Sequence, residues 1–174
     1  MHGKGEEVDV AERRPGRWPR VRPWLGLAAR LVLAGVFLVA GGSKVGDLAA
    51  SGRAVNAYRL LPYDAATVVG AALPFVELAL GVLLLLGLAT RIAAAAAAVL
   101  LVVFIVGISS VWARGLSIDC GCFGKGGELA EGVSPQYGGE IARDVALLAL
   151  AVFLLVYPHT RLSLDERILG SEEP

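Results

Sequence analysis

The sequence predicts an all-α integral membrane protein, a four-helix bundle with both termini on the cytoplasmic side. Three observations predict it. The 174 residues are 56% hydrophobic with a mean hydropathy of +0.65, above the roughly 45–50% apolar content of soluble domains. Alanine, glycine, leucine and valine dominate, and such small residues let helices approach closely in lipid. Four apolar stretches reach or approach the ~20 residues needed to cross a bilayer. The formal net charge is zero, so no basic field asks for nucleic acid.

The elements follow in order. Residues 1–23 are charged and broken by proline, cannot bury a core, and read as a disordered basic tail. No small-residue cleavage site follows the first apolar stretch, so no secretory signal peptide is expected. The membrane domain is expected over 24–157. Its first span covers about 24–42, entered at Trp24, a residue type that favours the lipid–water boundary, and is interrupted only by Arg30. A polar linker from Ser43 to Tyr63 follows, in which Val55, Leu60 and Leu61 suit a short amphipathic helix at the interface. The second span, about 65–88, carries Pro74 and Glu77; the proline removes one helical hydrogen bond and favours a kink. Thr90-Arg91 reads as a tight turn into a third span at about 92–112. A glycine-rich polar loop from Arg114 to Glu140 leads to the fourth and shortest span, about 141–157, which Pro158 ends. Residues 158–174 form a charged tail on the cytoplasmic side.

An even number of spans puts both termini on one side, and the positive-inside rule chooses which. Lys4, Arg13, Arg14, Arg17, Arg20, Arg22, Arg91, Arg161 and Arg167 lie on the side of the termini. They outnumber Lys44, Arg53, Arg59, Arg114, Lys125 and Arg143 on the other. The termini are therefore expected in the cytoplasm of a multi-pass plasma-membrane protein. The 114–140 loop then faces an extracytoplasmic compartment, where disulfides persist.

That loop holds Cys120 and Cys122, the two cysteines of the chain, with Gly121 between them. A disulfide needs Cα atoms within about 6.8 Å. Residues i and i+2 approach that limit only on a bent backbone, which glycine permits. A small strained ring favours a bond that exchanges. Such a bridge closes too short a loop to stabilise much through chain entropy, which weakens a purely structural reading without removing it. Arg114 and Arg143 flank the loop and suit stabilisation of a thiolate, whereas Asp119 opposes it. No metal is expected, since a structural zinc takes four ligands and both histidines, His2 and His159, fall on the opposite side.

Glu77 lies about twelve residues into its span, or ~18 Å, near mid-membrane. A carboxylate there should be protonated, paired or facing a wet cavity. Arg30 and Lys44 are the candidate partners. The pair either fixes helix register or marks a proton, quinone or solute site.

Several stretches together resemble a known family. They are Ala40-Gly41-Gly42-Ser43-Lys44, Tyr58-Arg59-Leu60-Leu61-Pro62, Leu73-Pro74-Phe75-Val76-Glu77-Leu78, Ala113-Arg114-Gly115, Asp119-Cys120-Gly121-Cys122-Phe123-Gly124 and Arg143-Asp144. The pattern resembles the MauE branch of the DoxX-like four-helix membrane proteins over about 27–157, with Asp144 standing where the pattern leads one to expect Asn. The resemblance implies an integral membrane protein associated with redox maturation. The family's namesake is tied to methylamine utilisation, where it serves formation of the disulfide-rich small subunit of methylamine dehydrogenase.

The function expected is thiol–disulfide exchange through Cys120 and Cys122, assisting maturation of an extracytoplasmic client or redox partner. The chain would act as a component of an oxidoreductase system rather than as a self-contained enzyme. If electrons enter the bilayer, a quinone suits the role of acceptor, although no residue set marks its site. The alternatives are a non-catalytic assembly or anchoring subunit with a structural Cys-x-Cys bridge, and a small-solute transporter using Glu77.

Overall fold

The computed structural model describes residues 17–121, 126–129 and 133–157. The expected tails at 1–16 and 158–174, and Cys122 itself, lie outside the described residues. Five helices and one small ribbon make up the described fold. They are α1 (Arg17–Lys44), α2 (Leu48–Ala57), α3 (Tyr63–Leu86), α4 (Thr90–Ala113), β1 (Ile118–Asp119), β2 (Gly127–Glu128) and α5 (Tyr137–Val156). The all-α membrane bundle is the fold found. Three stretches, Val21–Lys44, α3 and α4, are long and apolar enough to cross a membrane. The fourth long helix, α5, carries Glu140, Arg143 and Asp144 in its first two turns.

The outward faces of these helices are apolar. Val39, Val68, Phe75, Ile92, Val99, Val106 and Val152 are all exposed. Soluble monomers rarely show continuous apolar surface on this scale, whereas lipid is a good solvent for it. The core is equally apolar and built on small residues: Ala29, Ala34, Ala93, Ala94, Ala97 and Ala151 pack with Leu33, Leu84, Leu101 and Leu154. The helices pack chiefly as α1 on α3 and α4 on α5, and the two pairs join along α1 and α5. At one end of the bundle the Arg22 guanidinium sits 4.2 Å over the ring of Tyr157, bringing the start of α1 to the end of α5.

Several elements differ from the sequence expectation; α5, for one, begins at Tyr137 rather than at 141 and so takes in Glu140. The α1 helix begins at Arg17, inside the segment read as a tail, and carries Pro23 within its second turn. Pro23 has no N–H to give to the carbonyl one turn back, so the start of α1 lacks one helical hydrogen bond. The turn between α3 and α4 falls at Gly87–Ala89 rather than Thr90-Arg91. Gly87 adopts φ +68°, its N–H bonds Leu84 O and the N–H of Leu88 bonds Leu83 O, the pattern that ends a helix on a left-handed glycine. The linker forms the expected short helix, α2, which ends at Ala57, before Leu60 and Leu61, and packs along α3. Its Ala50, Ser51, Gly52, Ala54 and Ala57 are buried. A Cβ on Gly70 would lie 2.5–2.7 Å from the backbone of Ser51 and Gly52, so the two helices touch backbone to backbone.

The helices are also staggered. Lys44 ends α1 opposite Glu77, fourteen residues or about 21 Å along α3 from its start. The first half of α3 is therefore covered by α2 and not by α1.

Candidate functional site

Lys44 and Glu77 form the central polar contact of the bundle. The Lys44 Nζ donates to Glu77 Oε1 at 2.7 Å and to Oε2 at 2.9 Å, with the two side chains 7% and 1% exposed. Arg30 is buried too. It lies fourteen residues before Lys44, about 21 Å back along α1, and so too far away to share Glu77. A second buried pair opens α5: Arg143 donates to Asp144 Oδ1 through Nε at 2.9 Å and Nη2 at 2.8 Å. The other Asp144 oxygen, Oδ2, is buried and has no hydrogen-bond partner among the described residues. A small cavity of about 20 Å³, the size of one water, lies between Glu77, Phe104, Arg143, Asp144 and Phe37.

The cysteine loop is docked rather than loose. In the ribbon Ile118 pairs with Glu128 and Asp119 with Gly127. The Asp119 side chain accepts the Gly121 N–H at 3.0 Å, and Gly121 has φ +71°, giving the bent backbone that the Cys-x-Cys spacing asks for. Gly126 follows at φ +59°, and a Cβ there would meet Ala54 at 2.6 Å and Gly121 at 2.8 Å. The loop is thus pressed onto α2 where only glycine fits. Tyr58, at the end of α2, donates its hydroxyl to Cys120 O at 3.0 Å. Arg59 pairs with Glu128 at 3.1 Å. Tyr137 donates to Leu116 O at 2.6 Å and accepts the Ile118 N–H at 2.9 Å. Backbone groups at the loop's root are thereby satisfied.

Arg114 and Arg143, the residues expected to favour a thiolate, have other contacts in the structure. Arg114 donates to the carbonyls of Ser110 at 3.1 Å and of Tyr58 at 2.5 Å. It clasps the end of α4 to the end of α2, beside Arg59, whose φ of +52° is left-handed. Arg143 holds Asp144. What the fold brings to Cys120 is acidic: the sulfur and one carboxylate oxygen each of Asp119 and Glu140 lie within 4.8 Å of one another. Three ligands fall short of the four a structural zinc takes, and the cluster does not by itself make a metal centre.

A larger cavity, about 340 Å³, joins the loop to the bundle interior. Cys120 and Gly121 form part of its wall, Lys44 and Ser51 another part, and Tyr58, Leu73, Val103 and Phe104 line it between α2, α3 and α4. Sequence reasoning found Cys120, Lys44 and Glu77 but gave no role to Tyr58, Ala54, Tyr137 or Glu140. The Tyr58-Arg59-Leu60-Leu61-Pro62 stretch was the one signal that pointed toward Tyr58.

An apolar helix bundle with paired charges inside and a cysteine ribbon clamped to one end defines a membrane protein with a thiol-bearing loop. A family model described as methylamine utilisation protein MauE matches residues 22–157. The methylamine utilization protein MauE of Paracoccus denitrificans is 37% identical over 133 residues, 76% of this chain and 69% of that protein. The chain belongs to the MauE family. No solved structure matches it.

Proposed function

We propose that the chain is a plasma-membrane thiol–disulfide exchange component, with both termini in the cytoplasm and the Cys120–Cys122 loop outside. In this reading it exchanges disulfides with an extracytoplasmic client and assists that protein's maturation, in methylamine utilisation or a related pathway. The observation that carries the reading is the bent, clamped backbone at Asp119-Cys120-Gly121. The N–H of Gly121 is held by Asp119 and the carbonyl of Cys120 by Tyr58, which presents the first cysteine in a fixed pose on a rigid support. Binding and exchange sites gain from such support because little order remains to be imposed when a partner docks. Cys120 and Cys122 exchange the disulfide, and Arg114 braces the end of α2 that carries Tyr58.

The Lys44–Glu77 pair weighs against a transporter built on Glu77, since both carboxylate oxygens are already engaged by one cation. Thiol trapping in intact cells tests the proposal. Under it, Cys120→Ser or Cys122→Ser leaves the remaining thiol as a lasting mixed disulfide with another protein. Cysteines that stay oxidised and never join a second chain would mark the bridge as structural, and reagent access from the cytoplasm alone would reverse the orientation.

A further inference from the structure

The 340 Å³ cavity has an unusual pair of walls. One is the redox loop, at Cys120 and Gly121; the other holds Lys44, the cation of the central ion pair. Nearly everything between them is hydrocarbon or aromatic: Leu73, Leu100, Val103 and Phe104. The cavity arises from the stagger of the bundle. Because α1 stops at Lys44, and α3 and α4 pack far less on each other than on their other neighbours, a gap is left beside α2. Val69 and Val103 line it and are 45% and 58% exposed, so apolar side chains of two helices suited to crossing a membrane frame its outer edge, on the side that would face lipid.

Such walls select a ligand. A water-soluble thiol compound would lose its hydration on entry and regain little, because the lining offers few polar groups. The ligand must be lipid-soluble, flat enough to slip between helices, and able to accept a hydrogen bond from an ammonium group. Lys44 has such a bond to give. An ammonium carries three N–H donors, two of which go to Glu77, and among the described residues the third has no acceptor. The volume falls within the roughly 300–1,000 Å³ range of small-molecule sites.

We propose that this cavity binds the head ring of a lipid-soluble quinone, with one ring carbonyl accepting from Lys44. The redox role of the site rests on the thiol-exchange reading above. Two thiols, those of Cys120 and Cys122, lose two electrons and two protons and form one S–S bond. The quinone gains the same two electrons and two protons and leaves into the bilayer as hydroquinone. The loop would then be recharged with oxidising equivalents from lipid after each exchange with a client.

The test uses the full chain in phospholipid nanodiscs, reduced and then freed of reductant under argon. Decylubiquinone should consume the two thiols and yield one hydroquinone per chain. Val103→Trp, a lipid-facing change that fills the mouth, should slow this about tenfold or more, as expected for a blocked pocket. Its oxidation by a water-soluble aromatic disulfide should stay unchanged, which also shows that the variant is folded. Photolabelling with an azido-quinone is performed separately on Cys120→Ser, where no redox step can occur. Labels on α3 and α4 around Leu73 and Phe104, lost in Val103→Trp, support the site even if the thiols prove inert toward every oxidant, an outcome that would sink the exchange reading alone. Labelling spread over the lipid-facing surface and unmoved by Val103→Trp overturns the site, as does equal quinone-driven oxidation in both proteins.

Discussion

The middle of the bundle and the start of α5 each bury an ion pair, and the two are built differently. At the middle, Lys44 and Glu77 come from separate helices thirty-three positions apart, and the lysine engages both carboxylate oxygens. At the start of α5, Arg143 and Asp144 are neighbours in sequence and only one oxygen is engaged. The first pair is sealed, with exposures of 7% and 1%; in the second the arginine is 31% exposed and only the aspartate is sealed. A pair between helices fixes where one helix stands against another. A pair between sequence neighbours does not by itself set one helix against another, and this one leaves Asp144 Oδ2 without a hydrogen-bond partner among the described residues, beside the small cavity shared with Glu77.

The difference can be broken at its strongest point first. Lys44→Met strands the Glu77 carboxylate and should cost about 3–5 kcal/mol, the usual effect of removing one partner of a buried pair. Unfolding in mild detergent would read it. The double variant Lys44→Met, Glu77→Met should recover most of the loss; if it unfolds as easily as the single variant, the pair is not what aligns α1 with α3. Arg143→Met comes next. It removes two donors from a buried carboxylate, but water reaches the arginine's end, so about 1–3 kcal/mol is expected by the same measurement. A loss as large as that of Lys44→Met would mean that α5 depends on this pair as α1 depends on its own. Smallest is Asp144→Asn, which keeps the acceptor for Arg143 and turns the idle oxygen into a donor. Its effect should stay within about 1 kcal/mol, in line with other partly exposed pairs. A large drop in stability would show that the charge of Asp144, and not its hydrogen bond, is what the helix needs.

How much of this was legible depends on what kind of information each feature needs. Hydropathy is local, so α3 and α4 were expected within two residues of where they lie. Their joining turn was misplaced because the left-handed break at Gly87 sits inside a run that stays apolar through Ala89. Helix stagger is not local. Treating the spans as flush puts Arg30 and Lys44 on equal terms as partners of Glu77. The contact of Lys44 with Glu77, and the packing of α2 on α3 at Ser51, Gly52 and Gly70, show that α1 ends halfway down, at Lys44. The site divides the same way. The Cys-Gly-Cys spacing announced a bent loop, and Gly121 bends as required. The clamp from Tyr58 and the carboxylates of Asp119 and Glu140 come from far along the chain or from the fold of the ribbon, and no short motif encodes them. Arg114 illustrates the limit. Its position beside the loop suggested a role for its charge, whereas its bonds to the carbonyls of Ser110 and Tyr58 join segments far apart in the chain and no motif announces them.

The sealed contact between Lys44 and Glu77 has an electrical consequence. A living membrane holds a voltage across its hydrocarbon, and moving one elementary charge through it is worth about 2.3 kcal/mol per 100 mV. Lysine and glutamate 2.7 Å apart present that field with a short dipole and no net charge, so the bundle's centre is nearly indifferent to whether the cell is energised. Removing either charge alone would leave a monopole near mid-membrane, and the variant's stability would then rise or fall with the membrane potential.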